Sequence, residues 1–246
     1  MKNDIYLKLL EKRQKNACLF CLIDPDKQEI KTNVKLAEIY QKSNADAILI
    51  GGSIMIEKHY EESIRHIKEA VDIPVIIFPG LFNFVSGYAD AILLISMLSS
   101  RNPQVLIEEQ VRCAPQLFHT GLESIPTGYL LIESGNISSV QYMSHSMPIP
   151  RKKNDIALIH ALAGQYLGMK MIYLEAGSGA LESVPEEMIQ AVSSKIEIPL
   201  IVGGGIKTPE KARQKAEAGA DFVVIGTVLE QLNEYGIVKD FAEAVH

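Results

Sequence analysis

Residues 199–227 read PLIVGGGIKTPEKARQKAEAGADFVVIGT. The stretch begins with a short β-branched run, Pro199 to Val202, of the kind found in strands buried on both faces. Gly203, Gly204 and Gly205 follow, so backbone N–H groups there can come close to an anion. Thr208 is placed to cap a helix that has Pro209 at its first position. Ala212 and Ala216 share one face of that helix, and Gly219 is placed to end it. Phe222 to Ile225 is a second buried strand, ending in Gly226-Thr227. Glycine-rich turns after two neighbouring strands late in an α/β chain are how strands 7 and 8 of a barrel hold phosphate. The alternative is that the glycines only make tight turns.

The same strand–helix rhythm continues outward. Strands are expected at 17–23, 46–50, 75–78, 91–96, 128–132 and 171–175, besides the two already read. Helices are expected at 4–15, 31–43, 57–71, 104–119, 154–167, 185–195 and 229–245. In the helix at 57–71, Tyr60, Ile64, Ile67 and Val71 form an apolar stripe at helical spacing. Ser183 is expected to open the helix at 185–195, with Pro185 just inside it. Alternation of this kind implies a parallel sheet, and eight units in 246 residues imply an α/β fold of the (β/α)8 TIM-barrel type, with 1–246 as one domain. An open doubly wound sheet is the alternative. Residues 81–90 leave too little chain for a covering helix, so the third helix is shortened or missing and the wall there is thin. Phe82, Phe84, Val85 and Tyr88 would line that opening. Residues 135–153 form an insertion suited to a lid or an interface.

Composition excludes several classes. A net charge of −6 argues against non-specific nucleic-acid binding. No apolar run reaches the roughly 20 residues of a membrane span, and the charged start lacks a signal-peptide core, so a cytoplasmic protein is expected. Cys18 and Cys21 form a C-x-x-C pattern inside a strand. Their side chains point to opposite faces, so they read as buried apolar groups rather than a redox or zinc pair. No histidine pairs with Cys or another His at metal spacing.

Barrel active sites lie at the C-terminal strand ends. Those ends are Asp24, Ser53, Pro79-Gly80, Ser96, Glu133, Glu175, Gly203–Gly205 and Gly226-Thr227. Tyr173 and Glu175 share a face of their strand, and Gly177-Ser178-Gly179 adds a third small-residue loop beside the other two. Glu175 suits binding the hydroxyls of a small phosphorylated alcohol, or taking a proton from one. The alternative is a structural ion pair with a lysine inside the barrel. Asp24 and Ser53, on adjacent strand ends, resemble the sparse oxygen sites that hold Mg²⁺. DPDK also reads as a plain turn.

LIDPDK (22–27), IGGS (50–53), FPG (78–80), ADAILLISMLSSRNP (89–103), YLEAGSG (173–179), VGGGI (202–206) and DFVVIGT (221–227) together resemble the geranylgeranylglyceryl phosphate synthase family, the polyprenylglyceryl phosphate synthases. The resemblance covers nearly the whole chain. It implies a modified barrel that transfers a polyprenyl group, geranylgeranyl in the family's name, from its diphosphate to the 3-hydroxyl of sn-glycerol 1-phosphate, with Mg²⁺. Asp24 and Ser53 match the family's metal positions. Tyr173, Glu175, Ala176, Gly177, Ser178 and Gly179, with Gly204, Gly205, Gly226 and Thr227, match its glycerol-phosphate site. Leu22 stands where some relatives carry a lysine, so that contact is absent. The prenyl chain would lie along the thinned wall, its depth set by Phe82, Phe84, Ile95, Met97 and Leu98. A homo-oligomer, dimer or hexamer, and transient membrane contact through the lipid product are implied. Two other readings remain: a phosphate-binding barrel isomerase or lyase, and a non-catalytic prenyl-phospholipid carrier.

Overall fold

Asp4–Arg13 (α1) precedes the first strand, Cys18–Ile23 (β1). Ile30–Lys42 (α2), Ala47–Ile50 (β2), Tyr60–Ala70 (α3), Val75–Ile77 (β3) and Ala91–Met97 (β4) follow. A π-helical turn, Gln104–Glu108, opens Glu109–Thr120 (α4), and Glu123–Leu131 is β5. Ser139–Ser144 (α5) and Asn154–Tyr166 (α6) lead to Met171–Glu175 (β6). The chain ends with Glu186–Ser193 (α7), Leu200–Gly203 (β7), Pro209–Glu217 (α8), Phe222–Ile225 (β8), Thr227–Leu232 (α9) and Tyr235–Val245 (α10). This computed structural model describes residues 4–52, 59–80, 85–232 and 235–246.

The strands close in chain order, β1 to β8, and every pairing is parallel. The chain is a (β/α)8 barrel, not an open sheet. Period-two alternation splits its core into two layers. Phe20, Leu49, Ile76, Leu93, Met171 and Ile201 fill the interior. Leu19, Ile48, Ile92, Ile172, Val202 and Val223 face the helices. Cys18 belongs to the inner layer and Cys21 to the outer, so the two thiols lie on opposite faces. All three cysteines are buried and free, and burial pushes the Cys18 thiol up to about 12.

Among the described residues between β3 and β4 there is no helix. Phe82 and Phe84 lie outside the described residues. Val85 packs on the outer layer, and Tyr88 is exposed. Strand β5 starts five residues earlier than the sequence suggested. Pro126 lies within it, lacking an N–H but offering its carbonyl to Lys170 N–H at 2.8 Å. Thr208 caps α8 as expected, accepting from Lys211 N–H at 3.2 Å. Ser183 does not cap α7; Pro185 occupies the cap position there. The expected helix at 229–245 is two helices, and the first begins at Thr227, directly after β8. The insertion at 135–153 is pinned to the barrel: Ile149 pairs with Ile132, and Asn102 Nδ2 donates to Ser144 O at 2.8 Å.

Helix α1 closes the barrel floor. Its apolar Ile5 and Leu9 enter the inner layer. The buried Glu123 carboxylate, at the start of β5, accepts from Ile5 N–H and Tyr6 N–H, both at 2.9 Å. It satisfies two orphan donors and places negative charge at the positive end of α1. Glu123→Ala should therefore lose about 2 kcal/mol of stability, a Tm lower by roughly 4–8 °C in a thermal melt. An unchanged Tm would show that the floor does not depend on this cap.

Candidate active site

The C-terminal strand ends open onto a cavity of about 460 Å³. Three loops on one side of it carry small residues. Gly204 and Gly205 follow β7, at φ +82° and +69°. Gly177 and Gly179 follow β6, also at positive φ. Gly226 and Thr227 follow β8, and Thr227 Oγ1 lies 3.4 Å from Ser178 Oγ. The loops read separately in the sequence thus converge as two hydroxyls and several backbone amides around one corner, a chemistry suited to phosphate. A Cβ at Gly204 would meet Glu175 Oε1, Gly177 N at 2.6 Å and Ala176 N at 2.8 Å. Its left-handed backbone adds strain for any other residue. Gly204→Ala should lower stability by about 1–3 kcal/mol and weaken binding of inorganic phosphate at least about tenfold. Thermal melts and calorimetric titration read both, and unaltered phosphate affinity would remove Gly204 from the anion site.

Glu175 ends β6 inside this corner. It is only 6% exposed. Its Oε1 accepts from Gly177 N–H at 2.6 Å. The lysine partner weighed as its alternative role is absent from its contacts among the described residues. Burial raises its pKa above the ordinary carboxylate value, and the Tyr173 hydroxyl and Gly177 N–H oppose that rise only in part. A carboxylate so placed is acceptor-rich and more basic than usual. The Tyr173 hydroxyl lies near the Glu175 carboxylate, yet is buried without a hydrogen bond of good geometry.

Asp24 follows β1, the strand paired with β8, and lines the same cavity. Asp26 N–H donates to its Oδ1 at 3.2 Å, and Lys27 Nζ stands 3.6 Å from Oδ2. Gly52 lets the neighbouring strand end approach: a Cβ there would fall 2.7–2.8 Å from three atoms of the Asp24 carboxylate. Ser53 lies outside the described residues. Among the described residues no group of three or more His, Cys, Asp and Glu could hold a metal by itself. A single carboxylate still fits Mg²⁺, which keeps waters and substrate phosphates as its other ligands.

Apart from Glu109, Gln110 and Lys207, the rest of the wall is apolar. Phe78, Ile95, Met97, Val105, Tyr129 and Val140 line it. Ile95 and Met97 were expected here. Leu98 was too, but it points outward: a Cβ at Gly128 or at Gly164 would lie 2.7 Å from its Cδ1. Two other expected strand-end residues serve structure instead. Ser96 Oγ donates to Leu106 O in the π-helical turn. Glu133 receives Arg151 N–H on its carboxylate at 3.3 Å. Sequence reasoning missed Phe78, Tyr129, Val105 and Val140. Tyr129 was legible, since it shares the parity of Leu131 on an inward-facing strand. Val105 and Val140 lie on the π-helical turn and the insertion, where no periodicity points inward.

The chain is 43% identical over 247 residues to the geranylgeranylglyceryl phosphate synthase of Chitinophaga pinensis, covering 100% of this chain and 97% of that protein. It is 48% identical over 222 residues to the enzyme of the same name from Thermococcus gammatolerans, 90% of this chain and 87% of that one. Among solved structures it is similar to (S)-3-O-geranylgeranylglyceryl phosphate synthase from Thermoplasma acidophilum in complex with its substrate sn-glycerol-1-phosphate. That comparison has a TM-score of 0.92 at 37% identity, covering 97% of this chain and 96% of that chain. The sequence pattern of the PcrB family matches residues 10–245, nearly the whole barrel. With this cavity and these relatives, the chain belongs to the PcrB family, the enzyme family of the geranylgeranylglyceryl phosphate synthases.

Proposed function

We propose that the protein joins a polyprenyl group, geranylgeranyl by analogy with its relatives, from the diphosphate to the 3-hydroxyl of sn-glycerol 1-phosphate, in the presence of Mg²⁺. The observation that carries this reading is one cavity lined by the small-residue loops after β6, β7 and β8, by the buried Glu175 carboxylate among them, by Asp24 after β1 and by an apolar lobe alongside. The Thermoplasma relative, solved with sn-glycerol-1-phosphate, supports the identity of the acceptor. The phosphate end, built from Gly177, Ser178, Gly179, Gly204, Gly205, Gly226 and Thr227, holds the acceptor's phosphate. Glu175 orients the glycerol and accepts the proton of its 3-hydroxyl as the ether bond forms. Burial of Glu175 excludes water from that oxygen, which limits hydrolysis of the donor. Asp24 and Ser53 would hold Mg²⁺, which would supply charge neutralisation of the leaving diphosphate. The apolar lobe takes the prenyl chain.

An isomerase or lyase would need a second acid or base facing Glu175. Asp24 and Glu109 are the other carboxylates of the cavity wall; Asp24 stands beside Lys27, and Glu109 is taken up by Arg112 and Gln104. Among the described residues no helix is long and apolar enough to cross a membrane. Three free cysteines suit a reducing compartment, so we place the reaction in the cytoplasm, with transient membrane contact as the lipid product leaves. Val111, Phe118, Tyr142, Met147, Ile159 and Tyr166 are exposed on α4, the 135–153 insertion and α6, which supports a homo-oligomer, dimer or hexamer.

The test is incubation of the protein with labelled sn-glycerol 1-phosphate, Mg²⁺ and prenyl diphosphates of increasing length. Label should pass into an organic-extractable ether phosphate with at least one donor, and the best donor gives the chain length. Tight binding of donors with no label transferred would make the protein a carrier instead.

A further inference from the structure

The cavity carries more aromatic surface than an apolar lining needs. Phe78, Tyr129 and Tyr173 project from β3, β5 and β6. Tyr129 and Tyr173 are partners in strand register. Their ring centroids lie 5.5 Å apart with planes at 57°. Phe78 stands 5.5 Å from Tyr173 on the other side, at 31°. Tyr173 is thus the middle of three rings, and it shares its inward face with Glu175. The neighbouring wall is filled by Ile95, Met97 and Val105, so aliphatic side chains fit this lobe. Tyr173 is also costly there: it is buried and its hydroxyl finds no well-formed partner, where a phenylalanine would pack without that penalty.

We infer that Phe78, Tyr129 and Tyr173 form an aromatic box that stabilises positive charge developing on the donor's allylic C1, a role that rests on the prenyl-transfer reading. The balance of the step is simple. The C1–O bond to the diphosphate breaks and both electrons leave on the diphosphate oxygen. Allylic resonance spreads the resulting positive charge over C1 and C3. A lone pair of the glycerol 3-oxygen then forms the new C–O bond, and the hydroxyl proton passes to Glu175. Between these events the carbon needs stabilising without being captured. A carboxylate at contact distance would collapse onto it as an ester. An aromatic face attracts a cation through its quadrupole and is a poor nucleophile. The box also bounds the apolar lobe, where the first isoprene unit must lie if the rest of the chain is to reach Ile95, Met97 and Val105.

The experiment compares Tyr129→Leu, Phe78→Leu and Tyr129→Phe with the wild type in steady-state transfer. It also measures calorimetric binding of two prenyl analogues in the presence of inorganic pyrophosphate and Mg²⁺, one a prenyl ammonium ion and one the neutral prenyl alcohol. Each leucine variant should lower kcat about tenfold, with KM for the diphosphate within about threefold, and Tyr129→Phe should stay within about threefold of wild type. The ammonium ion should bind about tenfold more weakly to the leucine variants, while the alcohol should bind as before. Phe78 is only half-buried at a strand end, so Phe78→Leu gives an answer even if Tyr129→Leu does not fold. Equal losses for both analogues, or an unchanged kcat, would reduce the rings to apolar lining. A wild type that transfers no label would overturn the prenyl-transfer reading itself, and the box with it. Transfer by the wild type with no ring effect would overturn only the box.

Discussion

Glu175→Gln is expected to lower kcat/KM by about 10²–10⁴-fold, the range for loss of a general base. The variant should nevertheless fold. Its amide oxygen can still accept from Gly177 N–H, the 2.6 Å bond that holds the loop after β6. Stability should not fall either. Burial raises the Glu175 pKa above its ordinary 4.5, so the folded protein holds that proton more tightly than the unfolded chain. Stability from this group is therefore complete below the ordinary value and is lost as pH rises through the raised one. At neutral pH the ionised, buried carboxylate is a burden, and its neutral isostere should give an equal or higher Tm. The same raised pKa shapes the rate. Wild-type kcat/KM should decline as pH drops through a value above the ordinary carboxylate range, and the variant should lack that acid limb. Activity within about threefold of wild type would remove Glu175 from proton transfer.

Asp24→Asn is the second large effect. Metal-assisted departure of a diphosphate draws several kcal/mol from charge neutralisation, so its loss should cost roughly 10³-fold or more in kcat/KM. Asparagine keeps an oxygen for Asp26 N–H, now 3.2 Å from Oδ1, so the turn after β1 should hold. The loss should be accompanied by a Mg²⁺ requirement at least about tenfold higher, read by titrating Mg²⁺ in the transfer assay. Normal turnover at the wild-type Mg²⁺ concentration would show that the metal sits elsewhere.

The two sides of the pocket differed in how far they could be read from the residues. The three loops after β6, β7 and β8 were legible because glycine and small hydroxyl residues cluster at strand ends, and the topology then forces those ends together. The pairing of Ser178 with Thr227, 49 positions away, follows from barrel closure rather than from any local pattern. The apolar lobe was half legible. Parity along β4 puts Ile95 and Met97 inside, and the same parity puts Leu98 outside, against Gly164. Ser96 has the outward parity too, which is why its hydroxyl serves the π-helical turn rather than the cavity. That turn was hidden, because a π-helix and an α-helix share composition. Glu123 was hidden for another reason. Its partners, Ile5 and Tyr6, are 118 and 117 positions away, and only the closed barrel floor brings α1 to them. The early start of β5 was masked by Pro126, which normally argues against a strand interior. A parallel strand tolerates it where its missing N–H is not called on by the ladder.

The central claim is that acceptor and donor are held at separate ends of one cavity, only one of which depends on metal. The most direct measurement is a calorimetric titration of sn-glycerol 1-phosphate into Asp24→Asn protein stripped of divalent metal. The expected result is an affinity within about threefold of the wild-type protein with Mg²⁺, because Gly204, Gly205, Ser178 and Thr227 remain in place and carry that end by backbone amides and hydroxyls. Loss of glycerol-phosphate binding in that protein would contradict it, since both anions would then share the Asp24 end.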